Sequence, residues 1–208
     1  ALIDDGISIN EEIADPIELS SAYRVLWKGD IESAALKESS GLAFSTRTEG
    51  LIWSINDSGS QPEIFALSDS GSDLGKWRVN GIESNDWEGM DSFLFDDRHY
   101  LLIGDTGDNF RLRKEVSFLV LEEPLIDESS RDIKVSWRTS FRFPDGPKDV
   151  EAVAVDTRGK LVIFLNKREL PLRLYSVPLF PTARKIVAKK MAELVPLPRY
   201  RSDLRGLY

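Results

Sequence analysis

Acidic side chains crowd four short stretches of this chain: Asn56-Asp57-Ser58-Gly59, Asn85-Asp86-Trp87-Glu88, Asp105-Thr106-Gly107-Asp108-Asn109 and Lys148-Asp149-Val150-Glu151. Carboxylates gathered at one place raise one another's pKa, because like charges oppose ionisation. Hard cations relieve that repulsion, and Ca²⁺ in particular accepts oxygen ligands from carboxylates, amides and backbone carbonyls alike. The expected metal ligands are Glu88, Glu151, Asp105, Asp108 and Asn56. Asp57, Asp86, Asn109 and Asp149 are the expected ligand-binding residues around them, with Lys167 and Arg168 as anion contacts.

Each stretch also has a plainer reading. Asn-Asp-Ser-Gly is dense turn chemistry that Asx turns and a glycine explain without function. Asp-Thr-Gly-Asp-Asn lacks the EF-hand spacing and could be a tight turn. The lysine and arginine could simply neutralise the carboxylates. Glu88 and Glu151 stand apart, because both interrupt otherwise apolar strands at one repeat position, which a solvated face explains badly.

Other chemistries are excluded by residue type. The 208 residues include no cysteine, which rules out disulfides, thiolate metal sites and a Cys nucleophile. His99 is the only histidine, so a His-rich zinc site is excluded and no second histidine can assist it. Neither a Gly-x-Ser-x-Gly elbow nor a P-loop nor a dinucleotide fingerprint is present. Lys+Arg 27 against Asp+Glu 35 gives a net charge of −8, which argues against a nucleic-acid partner. No run approaches the roughly 20 apolar residues of a membrane-spanning helix.

The elements that must position these residues read as strands. After an acidic, weakly patterned lead-in over 1–20, β-branched and aromatic runs alternate with Gly, Asp, Asn, Ser and Pro through one domain spanning 21–208. Strands are expected at 22–31, 40–45, 51–56, 63–68, 74–82, 88–95, 99–104, 116–122, 132–143, 150–156, 160–165, 172–178 and 186–197. The last of these could also pass as a helix on propensity.

The runs repeat. Ser40-Gly41-Leu42, Glu88-Gly89-Met90, Glu151-Ala152-Val153 and Arg205-Gly206-Leu207 open successive segments about every 50 residues, and the first three are each followed by an apolar strand ending in Asn or Asp. Four antiparallel strands per repeat is the pattern of a β-propeller blade, with a β-sandwich of accidentally similar strands as the alternative. The chain then holds three blades, 40–82, 88–143 and 151–197, plus an end strand at 22–31 and the start of a further blade. Closing the ring would take more sequence or a second chain, which makes an oligomer one expectation. Gly41, Gly89, Ala152 and Gly206 fall on each blade's innermost strand, where bulk would not fit. In such a fold the loops between strands 2 and 3, and the segments leading into strand 1, open on one face beside the axis. That would bring the acidic stretches together at the channel mouth.

The ordered set Asn56-Asp57-Ser58-Gly59, Asp86-Trp87-Glu88, Gly104-Asp105-Thr106-Gly107-Asp108-Asn109, Glu123-Pro124, Phe143-Pro144-Asp145-Gly146, Asp149-Val150-Glu151-Ala152 and Lys167 resembles a family of bacterial six-bladed propeller proteins. They are often exported or lipid-anchored, and distantly related to the β-propeller phytases. The resemblance covers about residues 38–180. It implies a six-bladed parent, a polar, calcium-associated channel mouth, and a periplasmic or secreted setting. The Asp-Asp-Pro and Arg-Asn-Asn stretches that hold calcium and phosphate in phytases are absent. Three functions follow as expectations: a propeller binding calcium and a small anionic ligand, a calcium-dependent phosphoesterase, or a scaffold for a protein partner.

Overall fold

Thirteen strands and no helix are found among the described residues of the computed structural model, which are 30–57, 59–83, 86–167 and 169–194. The lead-in 1–20, all but the end of 22–31, the start of a further repeat at 205–208 and Arg168 lie outside them. Strands β1 (Ser39–Phe44), β2 (Leu51–Asn56), β3 (Glu63–Ser68) and β4 (Asp73–Asn80) form a first antiparallel meander. A second follows with β5 (Trp87–Phe95), β6 (Arg98–Asp105), β7 (Val116–Glu122) and β8 (Asp132–Arg142). The third is built from β9 (Val150–Asp156), β10 (Leu161–Asn166), β11 (Leu172–Pro178) and β13 (Lys189–Leu194). The short β12 (Ile186–Val187) pairs parallel with β8, so the segment expected as one strand over 186–197 is two strands, and not a helix, as far as Leu194.

The first two meanders share a sheet. Its order runs β1-β2-β3-β4, passes through a short parallel pairing of β4 with β8, and returns β8-β7-β6-β5. The first strands of successive units lie side by side, β1 by β5 and β5 by β9. An all-β fold of successive four-stranded units, flanked by one another's inner strands, has β-propeller-like construction.

Two cores explain why the middle unit reads as nearly continuous apolar sequence. Leu101 and Ile103 of β6, with Leu119 and Leu121 of β7, pack towards the first unit against Trp53, Ile64 and Trp77. The intervening residues Leu102, Phe118 and Val120 face the other way, into Val162, Phe164 and Tyr175 of the third unit. Alternation sends successive side chains to opposite faces, and both faces are covered. Trp53 and Trp77 meet edge-to-face at 5.2 Å, and Phe141 lies 4.8 Å from Phe164.

The inner strands approach closely enough to dictate side-chain size. A Cβ on Gly89 would lie 2.7 Å from the Glu151 carbonyl oxygen, and one on Gly41 3.0 Å from the Met90 nitrogen. Both obstacles are backbone of the next unit, which cannot swing aside. Gly89→Ala should therefore cost about 1–3 kcal/mol as overpacking strain, seen as a lower urea midpoint at unchanged slope. A midpoint equal to that of the parent would show that the two strands can part without cost.

Candidate metal centre

The three units place equivalent residues in equivalent geometry. Pairing between the first and second strands skips a residue in every unit, at Ser40, Glu88 and Glu151. Such a bulge leaves one residue out of the ladder and re-aims its side chain. The repeat position noticed in the sequence is thus a conformational one. In the first unit Ser40 uses it to donate to the Trp87 carbonyl at 2.8 Å, tying β1 to β5.

The residue just past each second strand donates its N–H to the carbonyl two residues before the bulge. Asp57 donates to Glu38 at 2.9 Å, Thr106 to Asp86 at 3.1 Å and Lys167 to Asp149 at 2.8 Å. These bonds hold the loops and the lead-in segments at one end of the sheets, where the acidic side chains meet.

Among the described residues, five carboxylates gather there in two overlapping groups. One oxygen each from Asp57, Asp86 and Glu88 lie within 4.8 Å of one another, and the same holds for Glu88, Asp149 and Glu151. Glu88 belongs to both, and it is only 4 % exposed. Asp149 is buried as well. Its Oδ1 accepts from the Asp108 N–H at 3.1 Å, while its Oδ2 is buried with no hydrogen-bond partner among the described residues. Asp86 Oδ1 is likewise buried and unpartnered.

Burial pushes the Glu88 carboxyl up to about 8, helped by the neighbouring Glu151, Asp57 and Asp86 charges and opposed by Lys167. Asp86 is raised too, first by burial and then by Asp57, with Arg113 pulling the other way. Positive charge reaches the cluster from Lys167, whose ammonium pairs with Glu151, and from Arg113 on the Asp86 side. Lys148, by contrast, is buried in the third unit against Glu169 at 2.9 Å.

Three of the expected metal ligands accept hydrogen bonds from nearby backbone N–H groups. Asn56 Oδ1 accepts from the Lys37 and Glu38 N–H groups at 3.0 and 3.2 Å, and its Nδ2 donates to Ala35. Asp105, at the same place in the second unit, accepts from the Asp86 N–H at 3.2 Å. It also pairs with Arg113 at 2.9 Å and Arg138 at 3.5 Å. Both residues therefore clamp the segment that leads into the first strand. Asp108 accepts from the Leu112 and Arg113 N–H groups and so shapes its own loop. Neither Asp105 nor Asp108 belongs to a carboxylate group. Asn109 is exposed on that loop.

Asp57, Asp86 and Asp149, expected to bind a ligand beside the metal, instead stand with Glu88 and Glu151. Residue reading passed over Gly107. A Cβ there would fall 2.4 Å from the Asp86 carboxyl carbon and 2.7 Å from Glu88 Oε1. The loop backbone lies directly against both carboxylates, and glycine is what lets it. The Gly in the Asp-Thr-Gly-Asp stretch was the available signal.

What the arrangement can do chemically follows from the donor set. All five side chains of the two groups are carboxylates, a donor set that suits hard cations over thiophilic ones. His99 is remote from it, with its Nδ1 at 3.0 Å from Thr46 Oγ1 at the far end of β6. No known family model matches the chain, and neither does any curated protein.

Proposed function

We propose that the three units are blades of a β-propeller whose acidic mouth binds calcium, with Lys167 available to a small anionic ligand beside the ion. The observation that carries this reading is the buried, unpartnered Asp149 Oδ2 in a carboxylate group with buried Glu88 and half-buried Glu151. An uncompensated buried acceptor costs about 1–3 kcal/mol, and a cation is what a group of carboxylates most naturally accepts there. Leu42 and Phe44 of β1, at 59 % and 75 % exposure, and Met191 of β13 present apolar surface at the outer faces of the first and third units. Further blades would cover such faces, and six is the ring size that the family resemblance implies.

Calorimetric titration of the full chain with calcium, beside thermal melts in calcium and in chelator, tests the reading. Saturable heat and a higher melting temperature in calcium are expected, since a ligand selective for the native state stabilises it. No heat and no shift would overturn it. Lys167→Met should tighten calcium binding by about three- to tenfold at low salt, because a competing charge is removed from Glu151. Weaker binding in that variant would mean that Lys167 does not compete with the ion.

A further inference from the structure

We infer that the mouth holds two divalent cations, one at each junction between successive units, with the Glu88 carboxylate shared between them. This rests on the calcium-binding reading above and goes beyond it in number and geometry.

The repeat generates the pair. At the first junction Asp57 of the first unit meets Asp86 and Glu88 of the second. At the next, Glu88 of the second unit meets Asp149 and Glu151 of the third. Asp86 with Glu88, and Asp149 with Glu151, occupy the same two positions in their units: the carbonyl acceptor two residues before the bulge, and the bulge itself. Each junction thus offers that acidic pair of one unit plus a carboxylate of the unit before it.

Distances separate the two positions. A calcium ion with oxygens at about 2.3–2.6 Å spans ligand atoms up to roughly 5 Å apart. Oxygens within 4.8 Å satisfy that inside each group, while the five carboxylates do not make one such group together. One ion at either junction therefore leaves the other pair uncoordinated. Both junctions carry the mark of a missing partner, Asp86 Oδ1 at the first and Asp149 Oδ2 at the second.

Calcium stoichiometry on the metal-stripped full chain, with circular dichroism to verify folding of each variant, tests this. The parent should take two ions, Asp57→Asn and Glu151→Gln one each, and Glu88→Gln none in the range where the parent saturates. As a check that needs no variant, terbium and europium loaded together should show energy transfer, since ions sharing a carboxylate sit about 4 Å apart. One ion in the parent, absence of transfer, or two ions in Asp57→Asn would overturn the two-ion centre while leaving calcium binding standing. No ion in the parent would remove both readings.

Discussion

Glu88→Gln should abolish calcium binding and at the same time make the metal-free protein more stable at alkaline pH. Both effects come from one carboxyl. It is buried among Asp57, Asp86, Asp149 and Glu151, and it is the one group that belongs to both carboxylate sets. Replacing a charged ligand by an amide at about 2.4 Å from a divalent ion should lower affinity about a hundredfold or more. In the metal-free protein the same charge is a burden. The folded carboxyl titrates near 8 against an ordinary 4.5, so between these values the folded state holds a proton that the unfolded chain has released. The stability that this contributes is fully present below 4.5 and is lost as pH rises through 8. Gln carries no such titration. The variant should be more stable than the metal-free parent by about 4 kcal/mol near pH 8, and similar to it near pH 4. Urea denaturation in chelator across that range measures this, and calorimetry measures binding. A variant that binds calcium like the parent would remove Glu88 from the site. An unaltered pH slope would assign the titration to another group.

The second large effect lies at the opposite end of the sheets, at Glu123. This side chain is 1 % exposed and sits just past β7. Its Oε1 accepts from Trp53 Nε1 at 2.9 Å and from the Ser45 hydroxyl, and its Oε2 from Thr46 Oγ1 at 3.4 Å. Trp53, Ser45 and Thr46 belong to the first unit and Glu123 to the second, so one carboxylate fastens the two together. Ser45 in turn accepts from the Arg47 and Thr48 N–H groups and so holds the β1–β2 turn. Glu123→Ala would strand the buried indole N–H and leave a void, at a cost of about 3–4 kcal/mol. Glu123→Gln keeps an acceptor for Trp53 and should lose only about half of that. Urea midpoints give both values, and Trp53 emission reports whether the indole is still bonded. A loss below about 1 kcal/mol for the alanine variant would show that water replaces the carboxylate without cost.

Local chemistry was legible along most of the chain. Strands β2, β3, β7, β9 and β11 begin and end where alternation and turn residues place them, because a strand's period of two is written in consecutive residues. The bend at Asp96 and Asp97 is equally local, with φ of 48° and 59° suiting a tight hairpin. Recurrence of Glu88 and Glu151 was visible as well, though not the bulge behind it. Which oxygen-bearing side chains join the acidic groups was less legible. Asn56, Asp105 and Asp108 have the right side chains for a cation, yet an oxygen that can bind an ion can equally accept a backbone N–H. Their donors, from Lys37, Asp86 and Arg113, became evident only once the loops were in place.

By itself the sequence determined an all-β chain of repeating strands, small residues on the inner strands, and carboxylates at the strand ends. Tertiary structure alone decided which carboxylates face one another. Asp57, Glu88 and Glu151 come from three different units, and Glu88 meets each of the other two because inner strands stack tightly at Gly89 while a bulge turns each glutamate out of its ladder. Residue type and spacing report how a segment folds on itself. Contact between units depends on the packing of two cores, and no single stretch of sequence contains it.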